Sequence, residues 1–187
     1  MSLAAEKQGY YTYADYCSWD DGKRWELIEG APYSMSPSPS WIHQSISVNI
    51  SRQLSTFLIG KTCKVFAAPF DVRLNADTVD DTVVQPDIVI VCDRTKLEEK
   101  GGCKGVPDMV VEILSPSTAT YDRLTKFRQY QKAGVREYWI VDPDSKTVSV
   151  HILENGKYII TVYGEVDTAP VHVLEGCEIN LADAFML

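Results

Sequence analysis

The amino-acid sequence predicts an α/β fold in which helices cover a mixed β-sheet. Two continuous apolar runs, 88–91 and 109–114, are typical of strands that are buried on both faces. A helix with one apolar stripe is predicted before them at 42–58, and a second helix follows them. The predicted core order is therefore αβββαβ, with a β-hairpin ahead of it and extra strands after it.

The hairpin is predicted from a two-residue turn, Glu29-Gly30, that separates two apolar segments. Glu26 lies on its first strand. The Ser/Pro-rich stretch 36–40 is predicted to be a loop, because proline lacks the N–H that helices and sheets require. In the helix that follows, apolar residues recur at spacings of three and four: Ile42, Ile46, Ile50, Leu54 and the pair Phe57 and Leu58.

The second helix is predicted to begin after the hydroxyl-rich segment 115–118 and to end at Gly134, a residue type that commonly follows a helix. Asp122 and Lys126 are four residues apart and share one face of it. They form either a solvent-exposed ion pair or part of a site. The residues predicted to face inward are Tyr121, Leu124, Phe127 and Tyr130.

The remaining strands complete a single predicted domain. We interpret 1–187 as one domain, with a core at about 22–153 and an extension of strands at 154–187. The other predicted strands lie at 64–68, 71–74, 137–141, 147–153, 157–163 and 171–173, and a short final turn lies at 181–185.

The composition is that of an ordinary globular protein, with 45% hydrophobic residues, 24% charged residues and a net charge of −8. This charge argues against indiscriminate binding of nucleic acid. No apolar run is long enough to span a bilayer, and 1–9 lacks a signal-peptide core, which predicts a cytoplasmic protein without membrane contact. Five widely spaced cysteines without a Cys-x-x-Cys pair predict reduced thiols.

Glu112 is the first candidate for a functional site, because it is an acid inside an apolar strand. A carboxylate there loses several kcal/mol of hydration unless a cation, hydrogen bonds or a metal ion compensates. Two interpretations follow: a structural ion pair with Lys126, or a metal site.

Asp87 opens the preceding apolar strand directly after Pro86. It is either a strand-opening aspartate that accepts backbone hydrogen bonds, or the second acid of a site with Glu112. Pro107-Asp108 is the same dipeptide. Because it lies where the Glu112 strand starts, we expect Asp108 to have a structural role.

These segments resemble the Uma family of restriction-endonuclease-like proteins, members of the PD-(D/E)xK nuclease superfamily. The resemblance covers roughly 10–155. The segments that carry it are Pro86-Asp87, the run 111–118, Asp122-x3-Lys126 and 134–143, together with 26–30 and His43 upstream.

The resemblance implies a site for Mg²⁺ or Mn²⁺ that hydrolyses phosphodiester bonds. Asp87 and Glu112 would be the metal ligands, with the Ile113 carbonyl as a third. Mg²⁺ suits such a site, because it binds one or two carboxylates and keeps several waters. The chain departs from the superfamily motif at Leu114, where a lysine is expected, and the resemblance assigns that role to Lys126.

The same resemblance implies supporting roles for further residues. Asp122 would hold or neutralise Lys126, while Glu26 and His43 would line the rim as an auxiliary acid and base. Ser115 and Ser117 would donate hydrogen bonds to a phosphate, and Arg123 lies on a basic helix face suited to the phosphate backbone.

The function expected from these residues is metal-dependent endonuclease activity on DNA. A homodimer is the expected assembly, because cutting both strands requires two sites. The alternative is a catalytically inactive protein of the same fold that binds nucleic acid or another protein. The acidic composition and Leu114 favour this alternative.

Overall fold

The computed structural model describes residues 9–35, 38–98, 102–116 and 118–187. The strands of this part are β1 (Trp25–Ile28), β2 (Ala31–Ser34), β3 (Lys64–Ala67), β4 (Val72–Arg73), β5 (Val83–Val84), β6 (Ile88–Val91), β7 (Cys103–Lys104), β8 (Met109–Ile113), β9 (Glu137–Asp142), β10 (Thr147–Glu154), β11 (Lys157–Gly164), β12 (Thr168–Pro170) and β13 (Glu178–Asn180). The α-helices are α1 (Tyr13–Tyr16), α2 (Trp41–Phe57), α3 (Phe127–Ala133) and α4 (Leu181–Ala184). A 3₁₀ turn spans Arg94–Lys96, and a π-helical segment, Tyr121–Lys126, leads directly into α3.

A six-stranded sheet forms the centre of the molecule, in the order β11-β10-β9-β8-β6-β3. Its neighbours pair antiparallel except β8 and β9, which are parallel. The helix before β9 makes this parallel connection possible, since parallel neighbours need a crossover. In chain order α2, β3, β6, β8, α3 and β9 give the predicted αβββαβ core. The predicted α/β fold with a mixed central sheet is confirmed.

The central sheet is covered on both faces. On one face α2, α4 and the β12–β13 ribbon enclose a core with Ile88, Met109 and Val111. On the other face α3 and a second sheet, in the order β2-β1-β5-β4-β7, enclose a core with Val89 and Val110. Because successive strand residues point to opposite faces, Glu112 lies on the same face as Val110. It therefore faces α3 and the second sheet.

Two local predictions differ from the structure. The strand expected at 171–173 is instead β12, three residues earlier, and Val171 begins a turn in which Leu174 N–H donates to its carbonyl. Val171 and Leu174 are nevertheless buried, so their apolar character reflects core filling rather than strand pairing. The prediction that Leu124 faces inward is also wrong, since this side chain is 54% exposed.

The structure bears on two expectations drawn from composition, the state of the cysteines and the absence of a membrane-spanning segment. The prediction of reduced thiols is wrong for one pair, because Cys63 and Cys92 form a disulfide. The pairing of Lys64 with Val91 across β3 and β6 brings these neighbouring cysteines together. The sequence could not show this, since the register of the two strands is a tertiary property. Within the described residues, no helix is long and apolar enough to cross a membrane.

Candidate active site

The ends of β6 and β8 bring Asp87 and Glu112 to one place. The register pairs Ile88 with Val111, so Asp87, one residue before β6, lies across from Glu112. Directly opposed residues of an antiparallel pair point to the same face of the sheet. Both side chains line one cleft of about 1940 Å³.

Asp87 is held in place by two donors. Its Oδ2 accepts a hydrogen bond from the Ile113 backbone N–H at 2.7 Å and lies 3.2 Å from His43 Nε2. His43 is buried in the first turn of α2, where Ser40 caps the helix by accepting from His43 N–H. Burial alone would lower the pKa of His43, but the hydrogen bond and charge of Asp87 raise it. Its Nδ1 is buried and has no partner among the described residues.

Lys126 occupies the centre of a buried cluster of carboxylates. Its Nζ lies 2.9 Å from an oxygen of Glu112 and 2.9 Å from one of Glu26. The Asp122 carboxylate is 3.7 Å away. Lys126 is 4% exposed, so this is not the solvent-exposed pair that the sequence also allowed. A buried lysine among three acids instead joins the helix to β1 and β8.

The π-helical segment carries two of these inward-pointing side chains, Asp122 and Lys126. A π-helix has a wider turn than an α-helix, and such segments are rare and often occur at functional sites. Along this stretch the buried positions are Asp122, Lys126 and Tyr130, a spacing of four, whereas Leu124 is exposed. The apolar pattern at spacings of three therefore selected one wrong residue, Leu124.

Glu26 lies in the cluster rather than at the rim where the resemblance placed it. It is 3% exposed, and its Oε1 accepts a hydrogen bond from the Gln85 backbone N–H at 2.7 Å. Leu27 pairs with Val83 in the second sheet, which brings β1 and this segment together. Glu26 thus supports Lys126 from beneath the cleft.

Two contacts were missed by sequence reasoning. The Tyr130 hydroxyl donates to Glu112 Oε1 at 2.6 Å, and burial raises the pKa of Tyr130, so it stays a donor. The Gln85 backbone holds Glu26 as described above. The spacing of four between Lys126 and Tyr130 was a signal for the first contact. Nothing in the sequence pointed to the second.

Carboxyl groups outnumber cations in this cluster. Burial raises the pKa of Glu112 well above its usual value, with Asp122, Asp87 and Glu26 adding to the rise and Lys126 opposing it. Burial likewise raises the pKa of Asp122 to about 6. For Lys126 burial acts to lower the pKa, but the surrounding carboxylates outweigh it. The lysine therefore stays charged, whereas burial shifts Glu112 and Asp122 toward the protonated form.

Ser115 and Arg123, two of the residues predicted to contact phosphate, line the same cleft. The Ser115 hydroxyl shares a hydrogen bond with Thr118 at 3.0 Å. Arg123 forms an ion pair with Asp142 at 2.8 Å and remains partly exposed. Ser117 falls outside the described residues. Further basic residues on the cleft wall are Lys23, Arg24 and Arg52.

Asp108, the other Pro-Asp aspartate, has a structural environment. It accepts a hydrogen bond from Cys92 N–H at 2.6 Å and pairs with Arg136, and it does not line the cleft. The expectation for this residue is confirmed.

The donor set at the cleft fits a magnesium-type ion. In the described residues no group of three or more His, Cys, Asp or Glu side chains is arranged to hold a metal. The proposed ligands are only two side chains, Asp87 and Glu112, with the Ile113 backbone carbonyl. These are the hard oxygen donors that Mg²⁺ binds while it keeps several waters. The excess of buried carboxylates beside them favours a cation.

The mixed sheet, its two covering layers and the acids at neighbouring strand ends define a restriction-endonuclease-like protein. A crystal structure of a "putative nuclease belonging to DUF820" from Anabaena variabilis has the same fold, with a TM-score of 0.75, 21% identity, and coverage of 94% of this chain and 97% of the other. Within this class, the chain belongs to the Uma2 family, described as "Putative restriction endonuclease", whose model matches 12–182. The uncharacterized protein slr1290 of Synechocystis is 29% identical over 157 residues, covering 82% of this chain and 80% of the relative.

Proposed function

We propose that this protein is a divalent-metal-dependent endonuclease that hydrolyses DNA phosphodiester bonds at the Asp87–Glu112 cleft. The observation that carries the proposal is the excess of carboxyl groups over cations at the cleft, where three acids act on Glu112 and one buried lysine opposes them. Such an excess is costly unless the carboxyl groups are protonated or a further cation binds, and a divalent ion would allow them to ionise. The nuclease family and fold agree with this chemistry.

The residues at the cleft have two kinds of role, holding the metal ion and orienting its ligands. Asp87 and Glu112, with the Ile113 carbonyl, would hold Mg²⁺ or Mn²⁺. When bound, the ion supplies Lewis acidity toward the phosphate and lowers the pKa of bound water. His43 and the Ile113 N–H orient Asp87, while Tyr130 and Lys126 orient Glu112.

Lys126 would supply the positive charge that the superfamily motif provides from a lysine at the position of Leu114. Its ammonium lies beside Glu112 and lines the cleft, so it can orient the attacking water. Asp122 and Glu26 keep it protonated. On the cleft wall, Ser115 and Arg123 are placed to contact the DNA phosphates.

Metal binding is tested most directly by thermal stability. We expect Mg²⁺ or Mn²⁺ to raise the melting temperature of the wild type, because a ligand at 100 times its dissociation constant adds about 2.7 kcal/mol. For a chain of this size that corresponds to roughly 5–10 °C. Asp87→Ala should abolish the shift. The measurement is differential scanning fluorimetry over a metal titration.

Asp108→Ala is the matched control, since it alters the Pro-Asp aspartate that lies away from the cleft. This variant should keep the full metal-induced shift even if its starting melting temperature is lower. A wild type that millimolar Mg²⁺ and Mn²⁺ leave unshifted would remove the main support for the enzyme.

One observation favours a second function, a nuclease fold that binds DNA without cutting it. Glu112 Oε1 already receives hydrogen bonds from both Lys126 and Tyr130. A buried cluster of this kind can persist without metal. In that case DNA binding would fall steeply with salt, while neither a metal-dependent thermal shift nor nicking of plasmid DNA would be observed.

A further inference from the structure

Strand β11 is an exposed edge of the central sheet and has unusual composition for such an edge. It spans eight residues, whereas β3 at the opposite edge spans four. Three of its large apolar side chains are exposed: Ile159 at 55%, Ile160 at 52% and Val162 at 60%. From 158 to 164 it carries no charge and no proline. Natural edge strands usually carry charged residues or proline, which prevent pairing with another chain.

The ends of this edge are already occupied by hydrogen bonds from its own chain. The Tyr158 N–H, which points away from β10, donates to the Gln131 side chain at 3.3 Å. At the other end the Gly164 N–H donates to Asp167 Oδ2 at 2.7 Å, and the Gly164 carbonyl accepts from Asp167 N–H at 3.0 Å. These contacts close the edge at 158 and at 164.

A short window between these ends remains open. Backbone groups alternate in direction along a strand, so Ile160 and Val162 also point away from β10. Within the described part of the chain, nothing bonds to their outward N–H and C=O groups. The window therefore offers two donors and two acceptors.

We propose that a second copy of this chain pairs with β11 in antiparallel orientation, around a two-fold axis at Thr161. In this register Ile160 of one copy lies opposite Val162 of the other, and each such pair exchanges two hydrogen bonds. The open groups of the two copies are then all used. Shifting the register by two residues would place Tyr158 or Gly164 opposite an open group, where side chains of the chain itself already bind.

The charges beside the window fit a second copy. In the same register Lys157, the first residue of β11, lies near Glu165 of the second copy, the residue directly after β11, and the two-fold axis repeats this pair. Within one chain Lys157 is already opposite Glu154 across the hairpin, and Glu165 binds Lys146 at 2.7 Å. The pairing therefore extends an alternation of positive and negative charge. Opposite charges across strands stabilise a sheet, whereas like charges oppose pairing.

The apolar side chains also fit this arrangement. Ile160 and Val162 of the two copies would cover each other on the face that carries Tyr158, and β-branched pairs across strands are favourable. The Thr161 side chains would meet on the opposite face. The two central sheets would thereby form one continuous sheet of twelve strands, twice the six of one copy.

Sedimentation velocity over a concentration series tests the assembly. The wild type should sediment as a dimer, and Ile160→Lys and Val162→Pro should shift it to the monomer with unchanged circular dichroism. Proline at 162 removes only the outward N–H, so the pairing with β10 is kept. Val166→Lys is the control, because Val166 is 90% exposed and lies outside β11. A monomeric wild type at about 100 µM, or dimeric variants, would refute the proposal.

The register is tested by cross-linking at the two-fold axis. In a Cys17→Ser background, which removes the exposed free cysteine, Thr161→Cys should form an intermolecular disulfide on mild oxidation. Ile159→Cys should cross-link at least about tenfold more slowly, since it would face Tyr163 of the second copy. Equal rates would reject this register. If Ile160→Lys and Val162→Pro dissociate the dimer but neither cysteine variant cross-links, β11 pairs with the second copy in a different way. Neither result depends on nuclease activity.

Discussion

Replacing Lys126 by methionine is expected to lower the free energy of unfolding by about 3–5 kcal/mol at pH 7, the range for breaking a buried ion pair on one side. Lys126 is 4% exposed and lies within 2.9 Å of both Glu112 and Glu26. Methionine fills similar volume but leaves the carboxylates without their cation. Denaturant unfolding followed by circular dichroism measures the change.

The loss should become smaller as the pH falls. Asp122 has a folded-state pKa of about 6, above its usual value, and Glu112 is also raised, so both favour the protonated form in the folded protein. A raised folded-state pKa means that stability is greatest below the unfolded-state pKa and is lost as pH rises. Without Lys126 these pKa values rise further. The variant should therefore regain stability between pH 7 and about 5 by more than the wild type does.

Lys132→Met provides the comparison. It removes an exposed lysine of α3, the helix that directly follows Lys126, and this lysine pairs with Glu29 of the β1–β2 turn. We expect no measurable change in stability and no added pH dependence. If Lys126→Met were as stable as Lys132→Met, or equally destabilised at both pH values, the buried charge cluster would not have the energetic role inferred from the structure.

Glu112→Gln is expected to reduce metal-dependent DNA cleavage by roughly 100-fold or more, comparable to the loss of one preorganised group that acts on transition-state charge. The substitution keeps the size of the side chain and can still accept the hydrogen bonds of Tyr130 and Lys126. It removes one negative charge from a site where burial already opposes ionisation. The variant should consequently be at least as stable as the wild type while losing activity.

Plasmid nicking in Mn²⁺, measured beside a melting curve, separates these two effects. Asp144→Asn is the matched control, since Asp144 lines the outer part of the same cleft but is exposed. It should retain cleavage. Full activity in Glu112→Gln would exclude a ligand role for Glu112, whatever its stability.

Much of the core and several site candidates could be predicted because their signals are local. Apolar runs and helical spacing report burial along a short segment, which gave α2, β6 and β8 at nearly the correct bounds. Glu112 stood out because a carboxylate in an apolar strand requires compensation. The turn at Glu29-Gly30 was predictable because two residues ending in glycine separate two apolar segments, and Gly30 has the positive φ that glycine readily adopts.

The partners within the site were less accessible, because they are distant in sequence. Glu26 and the Gln85 N–H that holds it are 59 residues apart, and His43 reaches Asp87 across 44 residues. Leu124 lies exposed in a π-helical segment, while the buried face of that segment carries the charged residues Asp122 and Lys126. The Cys63–Cys92 disulfide likewise depends on strand register.

The sequence by itself determined the order of the core helices and strands and the three residue types from which the site is proposed: two acids at strand ends and a lysine on the next helix. Only the tertiary structure decided that Lys126 is buried among three carboxylates and that Tyr130 shares Glu112 with it. The physical reason is that periodicity and burial are properties of short segments. Charge balance in a buried cluster depends on which distant segments the sheets and helices bring together.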